Sequence, residues 1–255
     1  MEGKLWILGS GTSQGVPVIG CGCEVCTSLD TKDVRLRASV HVVWGGKSIQ
    51  VDCGPDFRQQ FLANNLSRVD ALLCTHEHQD HISGMDDLRP IIFRQKSGIR
   101  VLATPRVQKR LLEQFSYAFA AEKYPGAPTF DLEDMPDEIV VDKQNSVFPI
   151  PIHHGNWPVL GFRFKDLVYM TDCNGISAEN EVKLKGANTL IISGLRHTSH
   201  HSHFSLEEAV DFGKKRGFSR IIITHISHEL GKRENIEPNL PEGVELAYDG
   251  QVIRF

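Results

Sequence analysis

No stretch of this sequence approaches the roughly 20 consecutive apolar residues that a membrane-crossing helix needs. The opening, Met1-Glu2-Gly3-Lys4-Leu5-Trp6, lacks the basic and then long apolar regions of a secretory leader. A cytoplasmic protein without a membrane partner is therefore expected. Positive charge is not in excess: 28 Lys and Arg against 32 Asp and Glu leave a net charge of -4. That balance argues against broad electrostatic capture of nucleic acid. Repeats, low-complexity tracts and linkers are missing as well. The 255 residues, 40% hydrophobic and 24% charged, read as one globular domain spanning 1–255. Cysteine is scarce, and three of the six crowd into Cys21-Gly22-Cys23-Glu24-Val25-Cys26. In a cytosolic chain such crowding points to metal binding rather than to a disulfide framework. Cys53, Cys74 and Cys173 read as small core residues.

Histidine is what the sequence has in quantity. Three histidines and an aspartate fall within Thr75-His76-Glu77-His78-Gln79-Asp80-His81. The apolar run Val69 to Cys74 before it has strand character, and Ile82-Ser83-Gly84-Met85 after it reads as the start of a helix. On a still extended backbone His76 and His78 project to the same side. Asp80 and His81 lie past the bend and aim at a second point nearby. Imidazole and carboxylate suit zinc, manganese or iron, and two ligand pairs suggest two ions.

The rest of the chain interleaves strands and helices. Residues 4–8 read as a buried strand ending in the glycine-rich loop 9–15, which lacks the Lys-Ser/Thr of a Walker loop and reads as a turn feeding the site. Residues 38–44 and 47–51 form a hairpin over Gly45-Gly46. A helix is expected through Phe57, Phe61 and Leu62, and another over 88–94. Residues 99–103 predict a strand, and Thr104-Pro105 opens a helix. Residues 120–138, with three prolines, read as loop. Strands are expected at 147–152, 160–164, 167–170, 189–193 and 220–224. Ser205 to Glu208 reads as a capping box for a helix reaching about Arg216. Residues 244–248 and 251–255 read as a closing hairpin over Asp249-Gly250. The pattern is mixed-sheet α/β.

His76, His154, Asp172 and His225 each follow directly on an apolar strand, and ligands of α/β folds gather where strand ends meet. Together they supply enough donors for two metals. His76, His78 and His154 would hold one, and Asp80, His81 and His225 the other. Asp172, with two oxygens, would bridge. Cys21, Cys23 and Cys26 suit a tetrahedral zinc that lacks one ligand.

This order of His76-x-His78-x-Asp80-His81, a lone histidine, a lone aspartate and a final histidine is similar to the metallo-β-lactamase superfamily. The resemblance implies an αββα sandwich with a dinuclear site at one edge. Gly9-Ser10-Gly11-Thr12-Ser13-Gln14-Gly15-Val16-Pro17, the cysteine cluster and Thr224-His225-Ile226-Ser227-His228 resemble the PhnP type, the phosphoribosyl 1,2-cyclic phosphate phosphodiesterases. That family implies a structural zinc on Cys21, Cys23, Cys26 and His228, a homodimer, and a catalytic histidine matching His203. The local sequence departs here, because His197, His200 and His201 crowd the same loop and His201 competes for the assignment. Residues 104–147 look longer than in that family.

The expected activity is hydrolysis of a small cyclic ribose-type phosphodiester by a hydroxide generated on two divalent ions, manganese or zinc. His203 and Asp80 are the residues expected to act in the chemistry. The rival reading is a tRNA 3′-end endonuclease of the RNase Z kind, whose glycine- and lysine-rich arm has no counterpart among these residues. A thioester or lactam hydrolase fits the cysteine cluster and His203 less well. A non-catalytic zinc-binding module is the alternative from another class.

Overall fold

Short aliphatic and β-branched runs become the strands of two facing sheets in a computed structural model, which describes residues 2–255. Met1, the first residue of the opening read for a secretory leader, lies outside that range. The first sheet takes β1 (Lys4–Gly9), β2 (Ser39–Trp44), β3 (Lys47–Val51), β4 (Ala71–Leu73), β5 (Ile99–Ala103) and β6 (Phe130–Asp134). The second takes β7 (Ile139–Val140), β8 (Ser146–His154), β9 (Trp157–Phe164), β10 (Leu167–Met170), β11 (Thr189–Ser193), β12 (Arg220–Thr224) and β13 (Val244–Leu246). The last strand, β14 (Val252–Arg254), returns to the first sheet. Strand order is β14-β1-β2-β3-β4-β5-β6 in one and β13-β12-β11-β10-β9-β8-β7 in the other.

Both sheets are buried on both faces. Between them, Leu5, Ile7, Val40, Val42 and Val51 meet Val147, Phe162, Phe164, Tyr169, Ile191 and Ile222, all almost fully buried. Each such side chain contributes on the order of 1.5–3 kcal/mol. Helices α1 (Phe57–Ala63), α2 (Gln79–Ile82), α3 (Arg89–Gln95), α4 (Pro105–Gln114) and α5 (Ser116–Phe119) cover the outer face of the first sheet. Beyond the second sheet lie α6 (Ala178–Glu181), α7 (Leu206–Lys215) and α8 (Arg233–Ile236), with α7 burying Leu206, Ala209 and Phe212 against it. The layers run helix, sheet, sheet, helix, the αββα sandwich. Among the described residues no helix is long and apolar enough to cross a membrane.

Several expectations need correction. The chain does not close in a hairpin. β13 pairs in parallel with β12, and β14 pairs antiparallel with β1 in the other sheet. Asp249 forces the crossing: it accepts from Ser10 N and Oγ, each at 2.8 Å, and from Leu36 N at 2.7 Å, which ties the turn to the first sheet. Residues 120–138 are not all loop, because β6 extends the first sheet alongside β5. The helix after the histidine loop starts earlier than expected, so that α2 contains Asp80 and His81. It is broken at Gly84, where any Cβ would sit 1.9 Å from the Gly54 carbonyl oxygen. Thr104 stands at the N-cap of α4, but its side chain makes no capping bond. The capping box at Ser205 and Glu208 is formed in full.

Candidate metal centre

The strand ends of β3, β4, β8, β10 and β12 converge at one edge of the sandwich. Donor atoms gather there in three overlapping groups, the members of each within 4.8 Å of one another: His76, His78 and His154; Asp80, His81, Asp172 and His225; and His154, Asp172 and His203. Asp172 lies between histidines, with Oδ2 3.1 Å from His81 Nε2 and Oδ1 3.0 Å from His225 Nε2. Asp80 Oδ2 is 3.1 Å from the same His81 nitrogen. His76 Nε2 and His78 Nδ1 approach to 2.9 Å.

The aim of these rings is set from behind. Asp52, at the end of β3, accepts from His81 Nδ1 at 2.7 Å and from Thr75 Oγ1 at 2.8 Å. With its proton given to Asp52, Thr75 Oγ1 accepts from His76 Nδ1 at 2.9 Å. The Ser202 carbonyl takes the Nδ1 proton of His154 at 2.9 Å. In all three histidines Nδ1 is thus engaged away from the cluster, and Nε2 faces it. Sequence reasoning overlooked Asp52. It too follows directly on an apolar strand, but a lone aspartate there is also what an ordinary turn contains.

Asp52, Asp172 and His225 all adopt left-handed backbone, with φ of 59°, 48° and 55°. Such geometry costs a non-glycine residue on the order of 1 kcal/mol and collects at functional sites. Here it turns the ends of β3, β10 and β12 inward. Gly54 lets the turn after Asp52 lie under the histidine loop, since a Cβ there would stand 2.0 Å from the Asp80 carbonyl oxygen.

Burial opposes charge throughout, and the neighbours decide the balance. Burial disfavours a charged His81, yet Asp80, Asp172 and Asp52 raise it well above its ordinary value. Burial likewise opposes the Asp172 carboxylate, but His225 and His81 hold it well below the usual range. Burial pushes Asp52 up despite His81. His76 is held neutral by burial and by His81.

Three buried histidines have ring nitrogens without hydrogen-bond partners: His81 Nε2, His203 Nδ1 and both nitrogens of His225. Orphaned nitrogens beside carboxylates are an unpaid desolvation cost unless a cation completes them. The residues therefore fit divalent metal ions in two adjacent positions.

His203 belongs to this cluster and His201 does not. The buried His203 ring lies 4.5 Å from the His154 ring and 4.8 Å from that of His225, with Nδ1 3.9 Å from Asp172 Oδ1. His201 is exposed. The second cluster is also assembled: Cys21, Cys23 and Cys26 Sγ stand 3.4, 3.4 and 3.5 Å from His228 Nδ1. The backbone N–H of Cys26 and the His228 ring bring the Cys23 thiol down to about 6, which favours thiolate, the ligand form. Cys53, Cys74 and Cys173 are buried free thiols in the apolar layers.

Residues 47–226 match the Beta-lactamase superfamily domain. The crystal structure of a new diphosphatase from the PhnP family matches with a TM-score of 0.92 and 36% identity, covering 100% of this chain and 98% of that one. Residues 104–147, expected to be longer than in that family, are covered with the rest. Zinc-bound PqqB from Methylobacterium extorquens shares the fold, with a TM-score of 0.75 and 19% identity over 98% of this chain and 99% of that one. An octanoyltransferase of Porphyromonas gingivalis is 38% identical over 250 residues, 96% of this chain and 50% of that protein. The chain spans half the length of that relative.

Proposed function

Because the chain belongs to the PhnP family of the metallo-β-lactamase superfamily, we propose that it is a metal-dependent hydrolase of small phosphodiesters, with a cyclic ribose phosphate as the substrate type. The observation that carries this reading is the pair of adjacent donor groups with His203 packed against both. His76, His78 and His154 would hold one ion, and Asp80, His81, Asp172 and His225 the other. Two such ions would bring a bound water near neutral pKa and would offset charge on a phosphoryl oxygen.

The chain's own residues supply the rest. Asp52 and Thr75 keep His81 and His76 in the tautomer that presents Nε2. Asp172 holds His81 and His225 at fixed separation. Asp80 stands on the first turn of α2, where a carboxylate is favoured by the helix dipole. His203, just ahead of the capped start of α7, is placed to bond a phosphoryl oxygen or pass a proton to the departing alkoxide. A cyclic diester suits such a site, because opening the ring leaves the alkoxide tethered beside His203. Cys21, Cys23, Cys26 and His228 would hold a separate zinc that acts on stability.

The test counts metals on the purified protein and assays bis(p-nitrophenyl) phosphate and ribose 1,2-cyclic phosphate in the same sample. About three ions per chain, with turnover lost on chelation, is expected from two such centres and one structural site. One ion and no turnover would leave a zinc-stabilised binding module and sink the proposal.

The octanoyltransferase name favours a second reading, acyl chemistry. It belongs to a protein of which this chain matches half. Covalent acyl transfer through cysteine needs an accessible thiolate. Cys53, Cys74 and Cys173 are fully buried, and burial raises all three thiols, while the half-exposed Cys21, Cys23 and Cys26 face His228 rather than the histidine cluster. Turnover of an octanoyl thioester without phosphodiester turnover would favour that reading instead.

A further inference from the structure

β11 lies between β10 and β12 and pairs in parallel with both. Its two neighbours end at candidate ligands, Asp172 after β10 and His225 after β12. β11 itself ends at Ser193, which belongs to none of the donor groups found among the described residues. Ser193 is nevertheless fully buried, and its register partner Thr224 stands directly ahead of His225. A hydroxyl buried at that depth is costly unless it is bonded. Its partners therefore show what it is there to hold.

Those partners all belong to Cys173. Ser193 Oγ accepts from the Cys173 amide at 3.1 Å, donates to the Cys173 carbonyl at 3.2 Å and lies 3.6 Å from the thiol. The same carbonyl accepts from the Phe204 amide at 2.8 Å. The Phe204 carbonyl in turn accepts from the Leu195 amide at 2.9 Å, just beyond Ser193. A closed ring of bonds thus joins the end of β11, the turn after Asp172 and the segment around His203. Asp172 immediately precedes Cys173, and His203 immediately precedes Phe204. The backbone bond between residues 173 and 204 brings His203 beside the carboxylate, with Nδ1 3.9 Å from Asp172 Oδ1.

His203 depends on such a hold. His76, His81 and His154 are each fixed by a bond to Nδ1 behind the ring. His203 Nδ1 has no hydrogen-bond partner among the described residues. Packing on the rings of His154 and His225 limits its tilt. Its distance from the site is set by the backbone that carries it.

We propose that Ser193 is a positioning residue for His203. Its hydroxyl fixes the peptide groups of Cys173, and through Phe204 it sets the place of the His203 imidazole against Asp172 and His225. Ser193 itself touches no substrate and holds no metal. The inference rests on the role given to His203 in the phosphodiesterase reading above.

The test uses metal-loaded full chains with bis(p-nitrophenyl) phosphate as the probe. Ser193→Ala removes the partner of the buried Cys173 amide, so the turn shifts and His203 moves with it. The variant is expected to lose roughly 10- to 100-fold in kcat, the cost of misplacing a catalytic group by about 1 Å, with KM and metal content unchanged. Ser193→Thr, which keeps the hydroxyl, should recover most of that loss. Added to His203→Ala, the same Ser193→Ala change should alter kcat by less than about twofold, because residues acting through one group are not additive. A native kcat in Ser193→Ala would overturn the assignment. So would an equal loss with and without His203, or a loss of metal, because Ser193 would then support the fold or the ligands instead. Should Ser193→Ala not fold, Ser193→Cys takes its place, with a smaller loss of kcat expected and a native kcat counting against the proposal.

Amide hydrogen exchange supplies a readout that needs no turnover. The Phe204 amide is expected to exchange at least about 10-fold faster in Ser193→Ala, while amides within β11 and β12 keep their native protection. Unchanged protection of Phe204 would overturn the inference by itself. If the native protein hydrolyses no phosphodiester, the phosphodiesterase reading fails. Faster exchange at Phe204 would then still uphold the hold of Ser193 on the His203 segment, and unchanged exchange would end it.

Discussion

Asp52 touches no substrate in this scheme, yet both His76 and His81 take their orientation from it, one through Thr75 and one directly. Removing its charge while keeping its shape isolates that role. Asp52→Asn is expected to weaken metal binding at the histidine cluster by about 10- to 100-fold, read by competition with a chromophoric chelator. Unchanged affinity would reduce Asp52 to a turn residue. His203 is the contrasting case. Its ring packs on His154 and His225 and it has a donor atom within 4.8 Å of those of His154 and Asp172, but the other two donor groups are complete without it. His203→Ala should therefore keep its metals and lose turnover by roughly 10²- to 10⁴-fold, the range of a positioned acid–base group. Metal analysis and kcat on the same preparation decide the matter, and loss of metal would make His203 a ligand. The difference in legibility between the two residues is physical. Histidines two apart beside an aspartate announce coordination. A lone aspartate after a strand is also what an ordinary turn contains, so only its long-range bonds reveal Asp52.

At the scale of elements, the strand-end pattern was readable because apolar runs end sharply at residues of ligand type. The pairing of short terminal strands was not. β13 and β14 belong to different sheets because Asp249 bonds Ser10 and Leu36, more than two hundred residues away in sequence. A local turn signal at Asp249-Gly250 carries no trace of that. The start of α7 was readable, because a capping box is local. Ser205→Ala is expected to cost about 1 kcal/mol, measured by urea unfolding, and to loosen the segment that carries His203. The β2–β3 pair makes a pH-dependent contribution. His41 faces Gln50 across the ladder, bonds its Oε1 at 3.0 Å and lies between the rings of Trp6 and Phe61. Burial brings its pKa from 6.5 down to about 4. The unfolded chain therefore gains a proton at higher pH than the folded one. Stability from His41 is present above about pH 6.5 and is lost as pH falls toward about 4, by on the order of a few kcal/mol. Comparing urea midpoints of the native chain and His41→Gln at pH 7 and pH 5 cancels the titration of other groups. The native chain should lose more on acidification, and equal losses would show that His41 is protonated in the fold.

Across the whole molecule the two sheets meet through apolar packing, and the cysteine cluster adds a second link. Cys21, Cys23 and Cys26 sit on the connection between β1 and β2 of the first sheet, whereas His228 follows β12 of the second. An ion held by all four joins the halves next to the edge where the strand ends gather. The same connection is anchored at its far end by buried Arg35, which donates to Ser10 Oγ at 3.0 Å and to the Ala247 carbonyl at 2.6 Å. The metal link and the Arg35 link close one loop across the sheets from two sides. Losing the metal link leaves the apolar core intact but frees the loop of residues 12–34 to move against β12, which bears His225. His228→Ala is therefore expected to bind about one ion fewer per chain and to unfold at a lower temperature, because metal binding at a structural site is folding free energy. Zinc analysis and thermal unfolding with and without a chelator check this together. In the native chain the chelator should lower the midpoint more than in His228→Ala, whose structural site is already broken. An equal response would show that the four residues cluster without holding an ion, and the sheets would then be joined there by Arg35, by Asp33, which accepts from Arg233 N at 2.9 Å, by Asp249 and by the core.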